Sequence, residues 1–148
     1  RDFEEANTLR FITGDFADVL ESKNWFYAVE ILNLLGDNFN HKLSFTRQIG
    51  FGRATNEQVS TIIAYDFLFE GIRNVDFTGG VQWVTAEDSG PAPFAEDYDL
   101  LMANLGFEIE FSDNLISNVG YRYVNKDSDN EARDFEQNSA RVSLHYDF

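Results

Sequence analysis

The sequence predicts an all-β chain: one antiparallel up-and-down transmembrane β-barrel domain spanning residues 1–148, with eight strands. Three observations carry this. Apolar and polar residues alternate with a period of two through most of the chain, which makes one face of each strand apolar and the other polar. The alternating runs are roughly 9–13 residues long, against a mode of ~5–6 for strands of soluble proteins and ~9–11 for tilted strands that cross a bilayer. Short turns at 36–40, 70–74 and 112–114 also alternate with longer links at 14–23, 52–57, 86–97 and 125–136, as short periplasmic turns alternate with long external loops in outer-membrane barrels.

The first strand, near Glu5 to Thr13, rests on Leu9 and Phe11 alone. Trp25, Tyr27, Val29 and Ile31 mark the second; Leu32, Leu34 and Leu35 blur its end, and Phe26 to Leu35 also reads as a short helix. Gly36-Asp37-Asn38 is a turn in either case. The third carries Leu43, Phe45, Ile49 and Phe51 on one face, interrupted by Arg47, opposite Lys42, Ser44, Thr46, Gln48 and Gly50. In the fourth, Val59, Thr61, Ile63, Tyr65, Phe67 and Phe69 oppose Gln58, Ser60, Ala64, Asp66 and Glu70, with Ile62 and Leu68 as exceptions. Val75, Phe77, Gly79, Val81 and Trp83 make the fifth, and Leu101, Ala103, Leu105, Phe107, Ile109 and Phe111 the sixth. Ser112-Asp113-Asn114 is a tight turn into the seventh, with Leu115, Ser117, Val119, Tyr121 and Tyr123 in phase. The last strand alternates without error from Ala140 through Val142, Leu144 and Tyr146 to Phe148. An even strand count leaves both chain ends on the short-turn side.

Composition narrows the function. The net charge is −15, from 26 acidic and 11 basic residues, and phosphate recognition needs clustered Lys and Arg, so nucleic acid is not an expected partner. Without cysteine there is no disulfide framework or thiolate chemistry. Aromatic residues reach 16%, and the only prolines are Pro91 and Pro93, which suits long strands that spare no backbone donor. The start lacks an initiator Met, a basic segment and an apolar segment, so the chain reads as a processed protein or as a piece of a longer one. No apolar run approaches the ~18–20 residues of a spanning helix, so a membrane is crossed by strands if it is crossed at all.

Alternation alone does not say which face is outside, because a soluble lipocalin-like barrel has the same length with the opposite sense. Three features favour lipid on the apolar face. Aromatics gather near strand ends (Phe67, Phe69, Tyr121, Tyr123, Tyr146, Phe148), where interfacial girdles sit. The polar face mixes small and charged residues, with Gly50, Gly80, Gly106 and Gly120 beside Glu108 and Arg122. No helix follows the last strand.

Val142, Leu144, Tyr146 and Phe148, in one phase at the C-terminus, resemble the terminal strand that outer-membrane proteins present to the barrel-assembly machinery. That resemblance implies outer-membrane lipid and the assembly machinery as partners, with integral outer-membrane localisation. The stretch Asn40-His41-Lys42-Leu43-Ser44-Phe45-Thr46-Arg47, then Gly120-Tyr121-Arg122-Tyr123, Asp134-Phe135 and Gln137-Asn138, is similar to a family of bacterial β-barrel porins that accompany exopolysaccharide and envelope gene clusters. The similarity covers residues 38–148. It implies the C-terminal part of a larger barrel and adds envelope-complex proteins to the expected partners.

No catalytic, cofactor-binding or metal-binding residue is assigned, and no cofactor is expected. Ser143 and His145 share a face, but on the polar side near the periplasmic end they read as a hydrogen-bonding pair. The carboxylates of Asp127-Ser128-Asp129-Asn130-Glu131 alternate as calcium ligands do, without the Gly and distal Glu of a helix–loop–helix calcium loop. Gly79-Gly80 lies inside a strand and cannot cradle phosphate. The expected lumen-facing charges are Asp66, Asp76, Glu108, Glu110, Arg122 and Arg141, with Asp147 beyond them. The expected function is a non-enzymatic, porin-like conduit or an envelope-structural barrel. The alternatives are a membrane-embedded lipid-modifying enzyme and a soluble ligand-binding barrel. Deleting Phe148 should leave unfolded protein in the periplasm; unchanged heat-modifiable migration of the membrane fraction would count against the assembly role of this residue.

Overall fold

A computed structural model describes residues 7–15, 25–35, 38–51, 57–72, 74–90 and 95–146. Gly36, Asp37, Pro91, Pro93, Asp147 and Phe148 lie outside the described residues. Eight strands follow in chain order: β1 (Asn7–Asp15), β2 (Trp25–Leu35), β3 (Phe39–Phe51), β4 (Glu57–Ile72), β5 (Val75–Asp88), β6 (Tyr98–Ser112), β7 (Leu115–Ser128) and β8 (Phe135–Tyr146). Seven antiparallel pairings join neighbours in sequence order into one up-and-down sheet. Among the described residues each strand touches only its chain neighbours, so β1 and β8 do not meet and the sheet is open. The only helical element described is a single 3₁₀ turn at Glu131–Arg133, and no described helix is long and apolar enough to cross a membrane.

Two local readings are resolved by pairing. The leucine-rich stretch after Ile31 is strand, not helix: Leu32 pairs with Thr8 on one side and Lys42 on the other. Ladders on both edges satisfy the backbone and override a local apolar cluster. The strands also run further toward the loops than apolar alternation suggests. Glu87 and Asp88 still pair with Val59 and Gln58, and Lys126 pairs with Phe135; the hydrogen-bond ladder does not require an apolar face.

The register carries a constant stagger. The β2–β3 hairpin closes at Leu35↔Phe39, and that row continues through Phe69 to Phe77. The β4–β5 hairpin closes at Ile72↔Val75, two residues beyond it. The row of Val75 runs through Ile109 to Ser117, and the β6–β7 hairpin closes at Ser112↔Leu115, two residues beyond again. Two residues per hairpin is one per strand, or ~3.3 Å along the chain for each ~4.8 Å of strand spacing, which corresponds to a strand tilt of about 35°.

Each later hairpin absorbs the step in a bulge, between Glu70 and Ile72 and between Glu110 and Ser112. Asn74 takes φ 64° in the turn, a conformation that Asn tolerates better than most side chains. The hairpins are laced together at these points. The Glu70 amide donates to the Asn38 carbonyl at 2.8 Å, and the Glu110 amide to the Asn74 carbonyl at 2.8 Å.

Aromatic side chains cover a glycine in the sheet. Opposite Phe67, Gly79 leaves room for the ring; a Cβ there would lie 2.5 Å from it. Gly79→Val should therefore displace Phe67 and destabilise the fold by about 1–3 kcal/mol, the usual cost of overpacking. Its denaturant midpoint should fall, whereas Gly50→Ala, where a Cβ meets nothing within 4 Å, should leave the midpoint within error.

Candidate functional site

Cross-strand partners point to the same side of a sheet, so the registers sort every side chain onto one of two faces. One face holds Phe39, Phe69, Phe77 and Phe107 in a single row across β3 to β6. Their ring centroids are 6.4, 6.2 and 5.1 Å apart in turn. Further along the strands, toward the loops, come Leu43, Tyr65 and Val81, then Phe45, Ile63, Trp83 and Leu101. The Phe row, Tyr65 and Leu101 are half-buried, but Leu43, Phe45, Val81, Ile63 and Trp83 are exposed despite their size, the last two 49% and 51% accessible, and Val142 on β8 reaches 73%. At the loop-side boundary the Trp83 indole N–H donates to Asp99 Oδ1 at 3.2 Å, and Thr85 donates to the same oxygen at 2.7 Å. On β7 and β8 the boundary lies nearer the turns, where the Tyr121 hydroxyl donates to Asn138 Oδ1. The apolar band thus descends across the sheet in the same sense as the hairpin stagger.

The opposite face carries the charges. Lys42, Asp66, Gly80, Asn104, Arg122 and Ser139 form one row across β3 to β8. Glu70, Asp76, Glu108, Asn118 and Ser143 form another, closer to the turns. Glu110 and His145 lie in the next row, both opposite Ile116. The structure therefore brings Asp66, Asp76, Glu108, Glu110, Arg122 and Arg141 onto one face, with acid on β4 to β6 and base on β7 and β8. Val142, Leu144 and Tyr146 lie together on the apolar face of β8, and Phe148 is outside the described residues. Lys42 and Asp66 approach to 3.8 Å with side chains 40% and 56% exposed, so water screens most of their attraction.

Between the acidic and basic sectors the face is low. Gly106 pairs directly with Gly120, and a trough of about 480 Å³ opens above them, with Asp76 and Glu108 on one side and Arg141 on the other. Ser143 also lines this trough, and His145 lies beyond it, two residues nearer the turns. Among the described residues no group of three acidic or histidine side chains is placed to hold a metal ion. Of the 127–131 carboxylates, Asp127 lies at the end of β7 opposite Asp99, and Asp129 and Glu131 lie in a hydrogen-bonded loop where Asn130 accepts from the Ala132 amide at 3.2 Å and Asp134 from the Ser128 amide at 2.7 Å.

Glu96 stands out from the sequence only once it is folded. It lies outside the strands but is 9% exposed, pinned on the charged face at the loop end. Lys126 pairs with its Oε1, Ser128 donates to the same oxygen at 3.0 Å, and Arg133 reaches Oε2 at 3.0 Å. The Lys126 ammonium also sits 4.5 Å from the Tyr98 ring centre. Ser60, Val84, Ala86, Val124 and Ser128, on the same face at the loop end, are all buried. Burial pushes the Glu96 carboxyl up, but the bonds from Lys126 and Ser128 and the charges of Lys126 and Arg133 outweigh it and hold the group below its ordinary value of 4.5. Glu87, Asp88, Asp97 and Asp99 lie close to Glu96 in the sequence, and nothing there marks Glu96 as the buried one.

Comparison with protein-family models, curated proteins and solved structures finds no match. A depressed carboxyl supports the fold above its ordinary pKa and loses that support as pH falls through the lowered value. Proteolysis within 95–97 and 129–134 should therefore be slow at neutral pH and rise only as pH falls below the ordinary carboxylate range. Glu96→Gln should show the fast, acid-like cleavage at pH 7, with the strands still protected.

Proposed function

We propose that these eight strands form a wall of an outer-membrane β-barrel, non-enzymatic, acting as a porin-like conduit or envelope-structural barrel. The observation that carries this is the exposure of large apolar side chains along one face of a charged sheet. A contiguous apolar surface of this extent marks contact with a partner or a membrane. From Val75 to Trp83 the band on β5 spans eight residue steps, about 27 Å along the strand and about 22 Å along a barrel axis at a 35° tilt. That is close to the ~25 Å apolar belt of outer-membrane barrels, and the Phe row and Trp83 stand where their aromatic girdles do.

The polar face supports a water-filled interior wider than a closed ring of eight strands. A closed eight-stranded barrel leaves room only for packed side chains, whereas the Asp66 side chain here is 56% exposed and no strand touches a non-neighbour among the described residues. Further strands would complete the ring, whichever chain supplies them. A soluble barrel would bury the face that carries Ile63 and Trp83, and the enzyme reading rests on Ser143 and His145 alone.

Fluorophores placed singly at residues 101–109 should alternate in vesicles. Leu101, Ala103, Leu105, Phe107 and Ile109 should be quenched by lipid-soluble agents, and Met102, Asn104, Gly106 and Glu108 by water-soluble ones. Leu105→Arg should cost about 2–4 kcal/mol near the bilayer midplane. The opposite phase of quenching would overturn the membrane reading.

A further inference from the structure

We propose that the trough over Gly106 and Gly120 is a binding site for small zwitterionic solutes, which lie across it with an ammonium on Asp76 and Glu108 and a carboxylate on Arg141. This rests on the reading of the charged face as a lumen. Asp76, Glu108 and Arg141 line one trough, and among the described residues none of the three is in an ion pair or hydrogen bond. Opposite charges therefore face a common space without neutralising each other. The paired glycines add no side chain of their own to the floor, the Thr78 hydroxyl reaches over Gly106, and Thr78, Asn118 and Ser143 supply neutral hydrogen-bonding groups.

The chemistry of the two walls selects the ligand. A simple anion meets two carboxylates, a simple cation leaves the guanidinium unpaired, and a neutral sugar displaces water from all three charges without neutralising any. A molecule with both charges satisfies both walls. Glu108 on β6 and Arg141 on β8 are two strands across and two residues along from each other, about 12 Å between backbones, with Asp76 one strand further. An extended tripeptide spans at most about 10 Å, a length that fits within that separation.

The probe is triglycine, with N-acetyl-triglycine amide as an uncharged control of similar size. The detergent-folded chain should bind labelled triglycine saturably and the blocked peptide at least tenfold more weakly. Arg141→Gln, and separately the Asp76→Asn/Glu108→Gln pair, should each abolish that difference. Gly120→Leu should block binding by bulk alone, since a Cβ at Gly120 meets only the Leu105 carbonyl at 3.9 Å and the sheet tolerates it. Absence of saturable binding, or binding that survives both charge variants, would overturn the site. Liposome swelling separates this from the conduit reading. Permeation without triglycine binding rejects the trough and keeps the conduit, and binding without permeation does the reverse.

Discussion

The stagger of the hydrogen-bond ladder governs the rest of this molecule. Each strand advances by one residue against the last, and because side chains alternate with period two, a slip of one residue in any pairing would exchange the faces. The bulges at Glu70/Ile72 and Glu110/Ser112, together with the bonds from Glu70 and Glu110 to Asn38 and Asn74, hold that advance at the turn end. With register fixed there, Phe69 meets Phe77, Asp66 meets Gly80, and Lys126 meets the loop that carries Glu96. Tilt then follows from register, and the height of the apolar band follows from tilt.

A fixed register also explains why the two faces differ in how they are satisfied. On the apolar face, rows of Phe and branched side chains cover one another and the glycine backbone, and the groups that end the band are amphipathic: Trp83 bonds to Asp99, and Tyr121 to Asn138. Such side chains place an apolar body in one medium and a polar tip in another. On the charged face Gly106 and Gly120 sit side by side among the charged residues and open the trough. Among the described residues, the buried ones on that face gather at the loop end with Glu96.

Strand identity and facing were legible in the sequence because both depend only on period-two alternation. Phe67, Phe69, Val81 and Leu105 announce their face without knowledge of any partner. The extent of the strands was less legible, since Glu87, Asp88 and Lys126 are held by backbone pairing that side-chain chemistry does not signal. β2 was ambiguous for a related reason: Leu32 and Leu34 break the alternation, and only pairing with both β1 and β3 decides for strand. The six candidate lumen charges could be assigned to a face, but their separation into an acidic and a basic sector depends on which strands are neighbours. The Glu96 clamp was invisible, because its partners lie 30 or more residues away in the chain.

The contrast between Glu96 and the charges of the mid-face bears on what that face is for. Taking a carboxylate out of water is costly unless it is paired and hydrogen-bonded, and Glu96, the one buried carboxylate among the described residues, has two cations and a hydroxyl. Glu70, Asp76 and Glu108 are treated in the opposite way: like charges stand directly opposite one another on three adjacent strands, an arrangement that costs stability in a sheet. Hydration makes that cost bearable, and a packed interior would not provide it. A local rule broken without structural compensation is most often broken for function. An unpaired acidic row facing an unpaired arginine across a glycine floor is therefore better explained by what occupies the space between them than by anything it contributes to the fold.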